Sequence, residues 1–137
     1  MIKKKTLRFI LLAILFCISA GVVVAYRMYN QPHRSAATET AVALNARQLA
    51  AEYERDETGA NKKYLGNAVQ VSGTVSDVSV NQQNKPVIVL TGTDMSGVQC
   101  SLLKDMAGIK KGDSVTIKGF CSGYLTDVVM DRCIVSQ

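Results

Sequence analysis

The apolar positions of this chain change period twice, from a continuous run to a helical stripe and then to strict alternation. Phe9 to Tyr26 is a run of 18 residues without a formal charge. As a helix rising about 1.5 Å per residue it is roughly 27 Å long, close to the roughly 30 Å hydrocarbon core of a bilayer. From Leu44 the spacing becomes helical: Leu49, Tyr53, Ala60 and Tyr64 form one apolar stripe, with Arg47, Glu54, Arg55 and Glu57 turned away. Asn45 supplies a cap, Gln48 completes a capping box, and Leu44 with Leu49 occupies the hydrophobic-staple positions. Gly59 predicts a bend or an end within this helix, and Gly66-Asn67 closes it.

From Ala68 onward the pattern alternates. Val69, Val71, Gly73 and Val75 share one face of a first strand. A polar loop over Asn81 to Lys85 leads to a second strand, Val87 to Thr91; Val98, Cys100 and Leu102 mark a third. Lys104 to Lys111 reads as a short helix or turn. Val115, Ile117 and Gly119 alternate in a fourth strand, and Val128 to Val135 forms the last. Five short strands with a helix or turn between the third and fourth are the order of an OB-fold, a five-stranded Greek-key barrel. The prediction is a mainly β domain with an N-terminal amphipathic helix, preceded by one transmembrane helix. It divides into residues 1–29 (basic tip and anchor), 30–43 (a mobile linker rich in Ser, Ala and Thr) and 44–137 (the barrel with its leading helix).

Charge sharpens this division. The formal net charge is +5, and Lys3, Lys4, Lys5, Arg8 and Arg27 precede the first acid, Glu39. The remaining eleven cations are matched by eleven acids. The basicity belongs to the leader and is not the footprint of a nucleic-acid surface. Lysines ahead of the apolar run hold the N-terminus in the cytoplasm and send the rest across the membrane. The leader admits three readings: an uncleaved anchor, a signal cleaved after Ala25, or a lipoprotein signal with Cys17 as acceptor. Phe16 is bulky where the last needs a small residue, and the apolar run exceeds the roughly 7–15 residues of a signal core, so the anchor is preferred. The expected location is a bacterial cell membrane, crossed once by residues 9–26, with the C-terminal domain outside the cytoplasm.

Along this frame run Leu49, Tyr53, Ala60-Asn61, Tyr64-Leu65-Gly66, Val71-x-Gly73-x-Val75, Val98-x-Cys100, Gly112-Asp113-x-Val115-x-Ile117-x-Gly119, Cys121-x-Gly123, Asp127-Val128-Val129-Met130 and Cys133. In that order they resemble the tRNA_anti-like family, small OB-fold domains that follow bacterial membrane anchors or lipoprotein signals. The resemblance implies the fold and, through the family name, a nucleic-acid ancestry. It carries over no activity and no functional residues.

The chemistry-bearing residues are few. Cys100, Cys121 and Cys133 lie in the exported part, where oxidation is permitted and three pairings exist. Cys121 and Cys133 flank the same final turn, which makes them the first candidates for a disulfide if the register brings them close enough. Their wide spacing and the lack of a histidine in the domain argue against a metal site. His33 stands alone in the linker, and no Ser/His, Cys/His or phosphate-loop arrangement points to catalysis or to a cofactor. Single-strand binding by an OB-fold needs stacking aromatics in a positive groove, and the second and third strands hold neither, so nucleic acid is not the expected partner. Nor is a small-molecule substrate. The expectation by exclusion is a binding module for an envelope protein or glycan. The loops after the first strand and between the last two would carry contact through Asn81, Lys85 and Tyr124.

Overall fold

The computed structural model describes residues 3–30, 34–104 and 108–136. The chain divides into two units, Met1–His33 and Arg34–Gln137. The first is a single helix, α1 (Lys4–Tyr29), whose C-terminus is closed by the Asn30 N–H on the Tyr26 carbonyl at 2.9 Å. Its 26 residues bury nothing within the chain. Side chains such as Phe9, Leu12, Leu15 and Phe16 stand outward on all sides, a length and composition that suit a membrane span or a signal segment.

The second unit is the expected barrel with one addition. Its elements run β1 (Val42–Asn45), α2 (Ala46–Arg55), α3 (Glu57–Tyr64), β2 (Ala68–Val80), β3 (Pro86–Leu90), β4 (Val98–Leu102), β5 (Ser114–Tyr124) and β6 (Val128–Ser136). Strands β2 to β6 close on themselves in the order β2-β3-β4-β6-β5, with β5 returning to β2. The closure rests on the parallel pair β4–β6, which is the Greek-key crossing. Strand β2 is long enough to serve two neighbours on one edge. Val69 to Ser72 pair with β1, and beyond a register shift at Val75/Asp77 the strand pairs with β3; its other edge carries β5.

Strand β1 lies partly within the segment expected to be a tether. From Arg34 that segment belongs to the folded unit, because it covers a second, smaller core on the outside of β5. There Phe120, 1% exposed, packs with Ala36 and Ala68. The guanidinium carbons of Arg34 and Arg132 sit 5.0 Å and 4.3 Å from the Phe120 ring centroid, and Arg34 also pairs with Glu39. Pro32 and His33 fall outside the described residues. So do residues 105–107 of the segment read as a short helix or turn; Gly108 to Asp113 is turn and coil.

The leading helix caps as expected: the Gln48 N–H donates to Asn45 Oδ1 at 2.7 Å. It breaks at Asp56, three residues before Gly59. Asp56 closes α2 with its backbone N–H and opens α3 by accepting the Gly59 N–H at 3.0 Å. Gly59 is there because a Cβ would collide with the Asp56 carboxylate. The stripe of Leu49, Tyr53, Ala60 and Tyr64 survives the break and is buried against the main core with Val71, Leu90, Ile117, Cys121 and Met130.

Candidate binding site

In OB barrels ligands lie across the second and third strands and the loops flanking them. Here those strands are β3 and β4. Their partly exposed positions are Pro86, Val89, Gln99 and Ser101, and neither strand contains an aromatic or a cation. In the loop joining β2 to β3, Asn81 is consumed by its own turn. Its Oδ1 accepts the Gln83 and Lys85 N–H groups at 2.9 Å and 3.0 Å, and its backbone N–H reaches the Lys85 carbonyl. That geometry, with Asn84 at φ 59°, makes Asn81 a builder of the hairpin and removes its amide oxygen from ligand contact. Lys85 is exposed, and its ammonium makes no ion pair among the described residues.

Tyr124 belongs to a different constellation. Its ring stacks on Tyr53 with centroids 5.5 Å apart and planes 19° from parallel, and Tyr53 in turn meets Tyr64 at 6.2 Å. Tyr124 therefore seals one end of the core with one face and lines a cavity of about 350 Å³ with the rest. Glu57, Asn61 and Leu65 form the helix side of that cavity, and Leu125 and Val129 the strand side. Leu125 is 84% exposed and Leu65 48%, so two apolar side chains stand beside an open concavity. Asn61 Oδ1 is buried without a hydrogen-bond partner among the described residues, a deficit typically of about 1–3 kcal/mol. Neither Asn81 nor Lys85 lines this cavity, so the structure does not gather the three sequence-derived contacts into one site.

Sequence reasoning missed a trough at the start of the leading helix. Two cavities of about 480 and 410 Å³ share Asn45 and Ser72; the first is otherwise bounded by Ala46, Arg47, Gly73, Thr74, Thr91 and Gly92, the second by Ala43, Leu44, Gln48, Gln70 and Thr116. Their one charged side chain, Arg47, leans on the Gly92 carbonyl at 3.4 Å. Parallel pairing of β1 to β2 creates this trough, and no local pattern in the linker signalled β1.

The cysteines are all thiols, and their neighbours differ from the expected hairpin pair. Cys121 is in register with Met130, and its sulfur lies 3.1 Å from the Tyr53 hydroxyl. Burial, then this contact, pushes the Tyr53 phenol upward. Cys133 stands beyond a bulge, opposite Leu102 on β4 and one inward position from Cys100. The neighbouring Cys100 thiol and then burial push the Cys133 thiol up. In the β5–β6 ladder Cys121 opposes Met130, whereas Cys133 lies at the bulge over Gly119, so the two are not cross-strand neighbours.

With barrel, leader and cysteines in place, comparison with known proteins is decisive on one point: the tRNA_anti-like family model matches residues 1–135. The chain belongs to the tRNA_anti-like family. The match includes the apolar leader as well as the barrel, so in this tRNA_anti-like protein the two are parts of one family pattern. A crystallised lipoprotein of Klebsiella pneumoniae subsp. pneumoniae MGH 78578, provisionally described as nucleic acid-binding, is similar with a TM-score of 0.54 and 15% identity. The similarity covers 69% of this chain and 92% of that one, and at such identity it speaks for the fold alone. No curated protein sequence matches the chain significantly.

Proposed function

We propose that this tRNA_anti-like protein is a membrane-tethered binding module, with its barrel outside the cytoplasm, that receives an apolar side chain of an envelope protein in the Tyr124 cavity. The observation that carries the reading is the juxtaposition of exposed Leu125 and Leu65 with a concavity floored by Tyr124. Recognition sites concentrate on anchors seated in pockets, and here two exposed leucines and a tyrosine adjoin one concavity. Lys3 to Lys5 before the apolar helix support the outward orientation. The role is retention of a partner and not turnover.

The Klebsiella protein's description raises a second reading, single-stranded nucleic acid. Against it stand the balanced charge after Asn30 and the lack of aromatics and cations on β3 and β4. The test is photo-crosslinking in intact cells from position 125, with position 85 as the comparison. A reproducible protein adduct from 125 that is absent from 85 is the expected result. Adducts to glycan alone, or equal adducts from both positions, would overturn it. Oligonucleotide binding in the micromolar range that weakens steeply with salt would transfer the proposal to nucleic acid.

A further inference from the structure

The three buried thiols of the barrel are not equivalent, and their arrangement selects one pair. Cys100 and Cys133 are 0% and 1% exposed, on the two strands whose parallel pairing closes the barrel. In an unbroken ladder, with Cys100 opposite Met130, residue 132 would oppose Leu102 and residue 133 would point outward. Instead Leu102 opposes Cys133, so three steps along β6 match two along β4. Arg132 takes up the extra step in the left-handed region. The bulge returns Cys133 to the inner face, opposite Leu102 and one inward position beyond Cys100 on the neighbouring strand, and over Gly119; a Cβ on Gly119 would stand 2.5 Å from its sulfur. Cys121 faces another neighbour, the Tyr53 hydroxyl.

We propose that Cys100 and Cys133 are a disulfide-forming pair that clasps the closing strands β4 and β6, while Cys121 remains a thiol. Bridging requires Cα atoms within about 7 Å. Both side chains point inward from directly paired strands, one rung apart, which is the offset that a small strand shift has to close. The oxidant is a disulfide, either a small one such as glutathione disulfide or that of an envelope thiol oxidoreductase. One cysteine thiolate attacks it, displacing one thiol and leaving a mixed disulfide. The second cysteine then attacks the protein sulfur of that mixed disulfide and displaces the other thiol. The protein loses two protons and two electrons, and the oxidant disulfide gains them as two thiols. Because both sulfurs are enclosed in the finished barrel, exchange takes place before β6 docks.

That the bridge forms in the cell rests on the outward orientation proposed above, so the test has two arms. In the first, the full chain in detergent is denatured, reduced, refolded with glutathione and its disulfide, alkylated, and mapped without reduction. The expected product links the Cys100 and Cys133 peptides, with Cys17 and Cys121 alkylated; C121S keeps the link, and the oxidised protein unfolds at a higher denaturant concentration than the reduced one. A link that includes Cys17 or Cys121, or four alkylated thiols, overturns the pairing. In the second arm the protein is alkylated directly from intact cells. The same link supports both the pairing and the export, whereas free thiols there after a successful first arm would overturn the orientation and leave the pairing standing.

Discussion

The Tyr53 hydroxyl lies 3.1 Å from the sulfur of Cys121, joining the leading helix to the inner face of β5. Both residues are 1% exposed, so neither group can exchange its partner for water. The Y53F variant keeps the ring that stacks on Tyr124 and removes only the hydroxyl. Its expected cost is about 1 kcal/mol, the net worth of one buried hydrogen bond, read as a lower denaturant midpoint at unchanged slope. C121A should cost less in the Y53F background than in the wild-type protein. Strict additivity of the two changes would show that the contact contributes nothing.

Tyr64 gives the fold a limit on the alkaline side. Its hydroxyl donates to Glu52 Oε2 at 2.9 Å, and Lys63 reaches the same oxygen at 3.1 Å. Burial, and then the Glu52 carboxylate, push the phenol up to about 12. In the unfolded chain a tyrosine ionises near its ordinary value of about 10. Between these values the unfolded state releases the proton first and is favoured, so stability is fully present below about pH 10 and falls as pH rises toward about 12. Tyr53 shifts in the same direction. Unfolding midpoints measured across this window should decline, and Y64F should flatten the decline. An equal slope in Y64F would remove Tyr64 from the account.

Asp56 and Gly59 form a matched pair at the helix break. A methyl at Gly59 collides with the Asp56 carboxylate that caps α3, so G59A should destabilise the wild-type protein despite alanine's better helix propensity. Removing the cap by D56A costs about 1 kcal/mol. In that background the collision is gone, and the propensity gain of up to about 1 kcal/mol should appear, so the sign of G59A reverses. Denaturant curves of the four proteins decide it; the same sign in both backgrounds contradicts the pairing.

The five barrel strands are legible because each carries its own signal. Val69, Val71 and Val75 alternate toward one core, and Gly112-Asp113 announces β5 with a turn in which the Gly112 N–H bonds to the Val75 carbonyl. The helical stripe is legible for the same reason, but its break falls at the capping residue, Asp56, which ends one helix and starts the next, and not at Gly59. What stayed hidden depends on surfaces that exist only after folding. Ala36 in a Ser/Ala/Thr stretch reads as linker until β5 presents Phe120 on its outer face. Likewise, the inward position of Cys133 opposite Leu102 follows from a bulge that no local spacing reveals. Of the proposed contacts, Tyr124 is found on a cavity wall, while Asn81 serves its own turn.

That hidden segment gives the last prediction. Ala36 is 0% exposed against Ala68 and Phe120, and Arg34 reaches over the Phe120 ring to Glu39 and the Gly66 carbonyl. The ion pair is at the surface, where such pairs add little and salt screens them. Burial of Ala36 must therefore hold the segment down. A36D would force a carboxylate into a space that fits a methyl against Phe120 and Ala68, at a cost of about 1–3 kcal/mol or detachment of the strand-forming segment. R34A should have a much smaller effect. Limited proteolysis separates the cases: cleavage between residues 34 and 45 should accelerate strongly in A36D and only slightly in R34A. Equal protection of A36D and the wild-type protein would mean that β1 is held by its pairing to β2 alone.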